Sequence, residues 1–150
     1  MEGNLYTQLT EGLTHHKFLE SPSEFLLVLK NIKNLDVSQD TRLSLAQSLN
    51  QTDEYETWFS PALHWVFYAT GDLATDNLQS NFFTSGISIS QDMGIEMFDL
   101  MMELGADINL KNYYDEDVYG LVRTHLEGPD VLTKRKNNDR FVDHIINKYL

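Results

Sequence analysis

The side chains able to carry out catalysis or to bind a metal ion are the histidines and the clustered carboxylates. The histidines are His15, His16, His64, His125 and His144. No two of them have the i, i+4 spacing that puts two zinc ligands on one helical face, and the HExxH motif is absent. The adjacent His15 and His16 would point about 100° apart on a helix, so they are poorly placed to share one ion. We therefore predict structural roles for the histidines and no metal site.

Carboxylates cluster at Asp53-Glu54-Glu56 and at Asp115-Glu116-Asp117. Paired carboxylates can serve glycoside hydrolysis or bind magnesium, but carboxylates on a turn are usually solvated, and neither cluster has EF-hand spacing. The glycines form no phosphate-binding loop, no serine has the GxSxG setting, and the chain contains no cysteine. We predict no catalytic residue and no cofactor, and we predict that the protein is not an enzyme.

The stretch from Gly94 to Asn112 has the clearest helical pattern in the chain. Its apolar side chains recur at steps of three and four residues, as on an amphipathic helix: Ile95, Met97, Phe98, Met101, Met102 and Leu104. Gly105 follows, where a helix often ends in a residue that tolerates the left-handed conformation. Asp107 and Asn109 have short side chains that can bond nearby backbone and hold a tight turn. We predict a helix whose methionines pack in the core, a glycine stop and an ordered turn.

Weaker helical patterns lie on both sides of this stretch. Ser21-Pro22-Ser23-Glu24 is typical of a helix start, with a serine cap, and the helix it begins runs to about Asn34. Leu43 and Leu126 are among the residues assigned to the apolar sides of later helices. Further helices are predicted over 4–19, 42–49, 118–127 and 140–150, the last capped within Asn137-Asn138-Asp139. The chain is thus predicted to contain seven or eight helices and little strand.

Two segments resemble parts of the ankyrin repeat. Residues 104–109, reading Leu-Gly-Ala-Asp-Ile-Asn, are similar to the end of the second helix of such a repeat. Residues 60–72 are similar to the Thr-Pro-Leu-His turn that opens the first helix, with Ala62 inserted after the proline. The resemblance implies stacked helix pairs and a role in binding. It also implies that His64 bonds backbone and holds neighbouring turns together.

A third segment, residues 34–40, resembles residues 105–111 when the two are aligned position for position, with Asn34 in place of the glycine. Asparagine also tolerates a left-handed helix terminus, so the change is physically mild. Spacing departs from the regular period of about 33 residues, because an insertion around 73–92 separates the helices of one pair. Within that insertion, Ile87 and Ile89 fit either a degenerate repeat turn or a short extended strand.

The predicted fold class is therefore all-α, with stacked helix pairs in a divergent ankyrin-repeat-like array that carries the insertion. We treat 1–150 as a single domain, with residues 1–20 as an N-terminal cap and residues 130–150 as a C-terminal capping helix.

Charge is unevenly distributed along the 150 residues. Residues 1–110 carry 4 Lys and Arg against 16 Asp and Glu, whereas residues 111–150 carry 7 of each, so the first segment holds the whole net charge of −12. A field of this sign repels nucleic acid and membrane surfaces and attracts basic partners, although acidity can also serve only solubility. No apolar run approaches the roughly 20 residues that span a bilayer, and the N-terminus does not read as a signal peptide. We expect a cytoplasmic protein.

Aromatic side chains mixed with carboxylates mark the predicted binding surface. Tyrosine and tryptophan beside acidic residues make good hot spots against a basic partner. In ankyrin-like folds the turns and first helices form the concave binding surface, and two acidic, aromatic segments lie on predicted turns. The predicted partner-binding residues are Tyr55, Trp58, Tyr113, Tyr114, Asp115, Glu116 and Asp117.

Our favoured interpretation is a protein-interaction module that acts as an acidic stoichiometric inhibitor. Immunity proteins against nuclease-type toxins and phage or viral proteins that block host defence enzymes have this character. The partner would be a protein with a basic surface, of the kind that binds nucleic acid, and we expect no direct contact with nucleic acid or membrane. One alternative is a general ankyrin-type scaffold whose acidity serves only solubility. A metal-dependent hydrolase using the acidic clusters is a third interpretation, for which the sequence gives no supporting spacing.

Overall fold

A computed structural model describes residues 2–51, 61–73, 89–127 and 136–150. The α-helices within these ranges are α1 (Glu2–Leu13), α2 (Pro22–Lys33), α3 (Gln39–Leu49), α4 (Ala62–Ala69), α5 (Gln91–Glu103), α6 (Val118–Glu127) and α7 (Asp139–Tyr149). A 3-10 helix, Thr14–Glu20, follows α1. The strands β1 (Asp72–Leu73) and β2 (Lys136–Asn137) form a two-residue antiparallel ladder. The fold class is all-α.

Helices α2 and α5 pack side by side and run in the same direction. Lys30 of α2 contacts Glu96 of α5 at 2.7 Å, and Lys33 contacts Glu103 at 2.8 Å. Because the residue numbers rise together along both helices, the helices are parallel. These two pairs of opposite charges favour the observed alignment of the helices over one in which either helix is shifted along its axis.

Helix α7 packs on the other side of α5 and is also parallel to it. Arg140 near the start of α7 contacts Asp92 near the start of α5, at 2.8 Å. Lys148, in the last turn of α7, contacts Asp99 in the second half of α5, at 3.4 Å. Helices α2, α5 and α7 therefore form one parallel row with α5 in the middle.

Helix α4 packs against α5 in the opposite direction. At its end, the Gly71 N–H donates to the Ile89 carbonyl at 2.8 Å, and the Ile89 N–H donates to the Ala69 carbonyl at 2.9 Å. Near its start, His64 contacts the carbonyl of Leu110, which lies beyond the end of α5, at 3.1 Å. The two ends of α4 thus meet the two ends of α5 in reverse order, and the pair is antiparallel.

The core consists of the apolar faces of these helices. Met97 and Met101 are fully buried in it, so their predicted role in the core is confirmed. The prediction was wrong for Leu43 and Leu126, which are 54% and 59% exposed. In α3 the buried leucines are Leu45 and Leu49, which lie on the opposite side of the helix from Leu43. In α6, His125 takes the buried position that Leu126 was expected to fill.

The predicted stop of α5 is confirmed, because Gly105 has a φ of 108°. An added β-carbon there would also lie 2.6 Å from that of Ala46, so glycine is required on two grounds. The start lies earlier than Gly94: the hydroxyl of Ser90 accepts a hydrogen bond from the Met93 N–H at 3.3 Å, and α5 begins at Gln91. This is the usual side-chain cap of a helix start.

Other predicted helix ends differ from the structure. Asn34 has a φ of −83° and so is not left-handed. The chain instead leaves α2 through a right-handed turn in which the Leu35 N–H donates to the Ile32 carbonyl at 3.1 Å. Ser21 and Asn138 flank α2 and α7, but neither side chain makes a capping bond.

The predicted insertion is shorter than expected at both ends. Leu73 belongs to β1, and Ile89 forms a parallel bridge with Thr70. Ile89 is therefore extended, as in the second of the two interpretations. Residues 74–88, including Ile87, lie outside the described residues.

Candidate partner-binding surface

Asn112 organises the turn that precedes α6. Its side chain is buried, and its Oδ1 accepts hydrogen bonds from the Tyr114 N–H at 2.9 Å and from the Glu116 N–H at 3.1 Å. Its Nδ2 donates to the hydroxyl of Tyr68 in α4 at 2.9 Å. The backbone of Asn112 also bonds Glu116 and Asp115. One buried amide thus fixes both the shape of the turn and its attachment to α4.

Asp115 occupies the tightest point of this turn. It is the one non-glycine residue with a positive φ, 63°, in the part of the chain that the structure describes. Aspartate tolerates this conformation better than most residues because its short side chain can bond locally. Its carboxylate is 83% exposed and lies 3.3 Å from the ammonium of Lys111. The turn therefore presents this charge to solvent.

His64, in α4, contacts the segment that leads into this turn. Its Nε2 is 3.1 Å from the Leu110 carbonyl and must be the protonated nitrogen, since a carbonyl only accepts. Burial lowers the pKa of His64 to about 4, although the Leu110 carbonyl and the charge of Asp117 both favour the protonated form. The imidazole is thus neutral at pH 7. The predicted contact between this histidine and a neighbouring turn is present.

Asn50, just after α3, holds the beginning of the segment. Its Nδ2 donates to the Gly105 carbonyl at 3.1 Å, and its Oδ1 accepts from the Asp107 N–H at 2.7 Å. Asp107 in turn accepts a hydrogen bond from the Asn109 N–H at 2.9 Å, as its position in the sequence predicted. Residues 105–117 are therefore fixed by Asn50 and by side chains from α4 as well as by their own bonds.

Tyr113, Tyr114 and Asp115 form the exposed part of the predicted surface, which we call the tyrosine turn. Each tyrosine side chain is 49% exposed, and the two rings pack edge to face with centroids 5.4 Å apart. Such a pair offers a large amphipathic contact area with few rotatable bonds, which suits a protein interface.

Glu116 and Asp117 are only half exposed and do not project as predicted. The Asp117 carboxylate accepts from the Gly120 N–H at 2.9 Å, which caps the start of α6. The Glu116 carboxylate accepts from the hydroxyl of Thr124 at 2.7 Å. One oxygen of each carboxylate is thus engaged within the protein, which the sequence alone does not show, and a role of these two residues in binding stays a prediction. Tyr55 and Trp58, the other predicted contacts, lie outside the described residues.

The acids of α5 are neutralised by neighbouring helices. Each of the four lies within 4 Å of a cation from α2 or α7, in the pairs Asp92–Arg140, Glu96–Lys30, Asp99–Lys148 and Glu103–Lys33. The outer face of the helical row is thus close to neutral. Asp115 of the tyrosine turn also lies near a cation, Lys111, but its side chain is 83% exposed, and Asp107 is exposed as well.

Asp99 is the centre of the most extensive of these contacts. It accepts hydrogen bonds from His144 Nε2 at 2.9 Å and from the Tyr149 hydroxyl at 2.5 Å. Burial tends to raise the pKa of Asp99, but these hydrogen bonds and the charge of Lys148 outweigh it and lower the pKa. Burial, together with the bond to Asp99, raises the pKa of Tyr149. The cluster joins α7 to α5, and we assign structural roles to His144 and Tyr149 on this basis.

Asn112 and Tyr68 were not among the predicted site residues. An asparagine directly before a polar turn is a common turn residue, and this signal was available in the sequence. The pairing of Asn112 with a tyrosine 44 positions earlier had no such signal. Within the described residues, no group of three His, Asp or Glu side chains could hold a metal ion.

The fold and the surface define an all-helical protein with an ordered, acidic and aromatic turn. None of the helices in the described ranges has the length and apolar character needed to cross a bilayer. The chain matches no protein-family model, no curated protein and no solved structure.

Proposed function

We propose that this protein is a protein-interaction module that inhibits a basic partner protein by occupying its surface. The observation that carries the proposal is the tyrosine turn: two half-exposed phenol rings beside a carboxylate, on a backbone fixed by Asn112. Preorganisation of this kind reduces the entropy lost on binding. Phenol hydroxyls and a carboxylate match lysine and arginine side chains.

We also propose that the helices form a divergent ankyrin-repeat-like array. The antiparallel pair α4 and α5, the parallel row of α2, α5 and α7, and the contact of His64 with Leu110 support this arrangement. In such an array the turns after successive second helices project from the same side. The turn after α2 contains Asp36, and the one after α5 contains Asp107 and the tyrosine turn. The acidic turns would then lie on one edge.

The inhibitory mechanism would be steric and electrostatic. Carboxylates on the turns would meet lysines and arginines with which the partner holds nucleic acid or another anion, and the tyrosines would fill the space between them. Immunity proteins and anti-defence proteins that act in the cytoplasm also inhibit by binding one inhibitor molecule to each enzyme molecule. Binding of this type weakens as salt rises, because exposed charges are screened beyond about 10 Å at 0.1 M salt.

The test is affinity capture on the immobilised protein at about 0.05 M and about 1 M salt, followed by measurement of the affinity of each captured protein. The variant removes the turn surface through Tyr113→Ala, Tyr114→Ala and Asp115→Asn. Its matched control is Asp143→Asn, which removes an exposed carboxylate on α7.

We expect a basic protein that is held at low salt, released at high salt and lost with the turn variant but not with the control. We also expect its activity to fall as the bound fraction rises. Equal binding by variant and control would overturn the assignment of the site. Capture of several partners that stay bound at high salt would overturn the proposal of an inhibitor and favour a general scaffold.

A further inference from the structure

Helix α6 carries an unusual amount of exposed apolar surface next to the tyrosine turn. Tyr119 is 58% exposed and Leu126 is 59% exposed. They are separated by seven residues, so they lie on one face about 10 Å apart along the helix. The helix is buried through Val118, Leu121 and Val122, and Val122 lies directly beside the line that joins the two exposed side chains. Exposed apolar residues scattered singly need no explanation, but these two share one side of a helix that begins three residues after the tyrosine turn.

The turn and α6 are one rigid unit. The Asp117 carboxylate caps α6 at Gly120, and the Glu116 carboxylate bonds the hydroxyl of Thr124, eight residues further along. The exposed rings of the turn and the ridge of α6 are therefore held in a fixed relation. A partner that contacts one meets the other in a defined geometry.

We infer that the ridge formed by Tyr119 and Leu126 is the apolar half of the binding surface, and that its occupant is an amphipathic helix of the partner with basic residues at one end. This rests on the proposed function and adds the form of the partner. Residues at i, i+4 and i+7 form the ridge that packs into the groove of another helix. Asp115 at one end of the ridge supplies the charge that attracts the basic end.

Arg123 lies on the same face, between Tyr119 and Leu126, and already makes an interaction within the protein. The lysines and arginines of the partner are expected over the tyrosine turn, with apolar side chains beside Tyr119 and Leu126.

The experiment uses two synthetic helical peptides and the full chain. Both peptides carry a leucine stripe; one has lysines at one end, and the control has glutamates at those positions. Binding is measured by titration calorimetry for the unchanged protein, for Tyr119→Ala and Leu126→Ala, and for Leu27→Ala. Leu27 is an equally exposed leucine on α2, at 58%. Alanine is a strong helix former, so none of these exposed substitutions should unfold its helix.

We expect the lysine peptide alone to bind, and to bind about tenfold more weakly to each α6 variant while Leu27→Ala is unchanged. Equal affinity for all variants, or binding of both peptides alike, would overturn the inference. Failure of the lysine peptide to bind the unchanged protein would also overturn it. The proposed function is judged separately: if Asp115→Asn weakens capture of a basic protein while the α6 variants do not, only the inference fails.

Discussion

Gln91, the first residue of α5, accepts a hydrogen bond at 3.1 Å from the backbone N–H of Phe141 in the first turn of α7. Gln91 is almost completely buried. The N-terminal residues of a helix have N–H groups without partners inside the helix, and a side chain just before the helix usually satisfies one of them. Asn138 does not do so in α7. A residue about fifty positions earlier takes over this role and joins the last two helices of the row.

Replacement of Gln91 by alanine should destabilise the protein by about 1 to 2 kcal/mol, since it removes a helix cap and leaves a buried N–H unsatisfied. The free energy of unfolding in urea measures this. The matched control is Gln39→Ala, because Gln39 is also the first residue of a helix but is exposed. A loss no larger than that of the control would contradict the capping role.

Gly94 is the point of closest approach between α5 and the end of α4. A β-carbon at this position would lie 2.3 Å from Oγ1 and 2.4 Å from Cγ2 of Thr70, and that threonine is fully buried. Gly94→Ala should therefore destabilise by about 1 to 3 kcal/mol through overpacking, although alanine is the better helix former.

Gly3→Ala is the control for this substitution, because no atom lies within 4 Å of the added carbon in α1. It should stabilise the protein by about 0.5 to 1 kcal/mol. Urea unfolding of the two variants gives shifts of opposite sign if the packing of α4 on α5 is as described. Shifts of the same sign would exclude the close contact at Thr70.

The cluster around Asp99 should contribute more stability than the exposed ion pair on the same helix. Asp99→Asn weakens charge-assisted bonds to His144 and Tyr149 in a partly buried site and should cost about 1 to 3 kcal/mol. Asp92→Asn removes a pair whose side chains are 80% and 61% exposed, which is worth about 0 to 1 kcal/mol. Similar losses for the two variants would contradict the special role of Asp99.

This cluster also predicts a pH dependence on the acid side. The pKa of Asp99 is lower in the folded protein than in the unfolded chain, so its contribution is present above the unfolded pKa and is lost as pH falls through the folded value. Asp99→Asn should therefore lose less stability than the unchanged protein between about pH 5 and pH 2. Parallel curves for the two proteins would rule this out.

His64 should make the free energy of unfolding depend on pH in a higher range than Asp99 does. Its folded pKa of about 4 lies below the value of 6.5 usual for histidine, so the unfolded chain binds a proton in this interval while the folded protein does not. Stability should fall by roughly 3 kcal/mol as pH drops from 6.5 to 4. The variant His64→Gln keeps a donor for the Leu110 carbonyl but does not titrate. In it, the dependence of the free energy of unfolding on pH over this interval should largely disappear. The free energy of unfolding measured at several pH values tests this, and an unchanged slope would contradict it.

Helix positions were predicted well wherever one apolar stripe decides the structure. Helix α6 has the predicted bounds, and α5 ends at the predicted glycine. These features depend on residues within a few positions of one another, so the sequence contains them directly. Helix ends that rely on a polar cap were predicted less well, because Ser21 and Asn138 have suitable side chains that the folded chain does not use.

The exposure of the residues predicted to bind a partner was foreseen only in part. Tyr113, Tyr114 and Asp115 are exposed as expected, whereas one carboxylate oxygen of Glu116 and one of Asp117 bond groups of α6. Leu126 was placed in the core by its position in the apolar stripe, but it is exposed. Whether an apolar residue at the edge of a stripe is buried depends on how far the neighbouring helix reaches, and one helix does not contain that information.

The sequence by itself determined the helical content, the glycine stop after α5, the acidic composition and the residues of the tyrosine turn, because each of these is a local or summed property of the chain. Tertiary structure alone decided which polar groups meet. Gln91 caps a helix 50 residues away, Asn112 bonds Tyr68 across 44 residues, and cations from two helices neutralise the acids of α5. Such pairings follow from the packing of the whole chain, since the free energy of a buried polar group depends on the partner that packing brings to it.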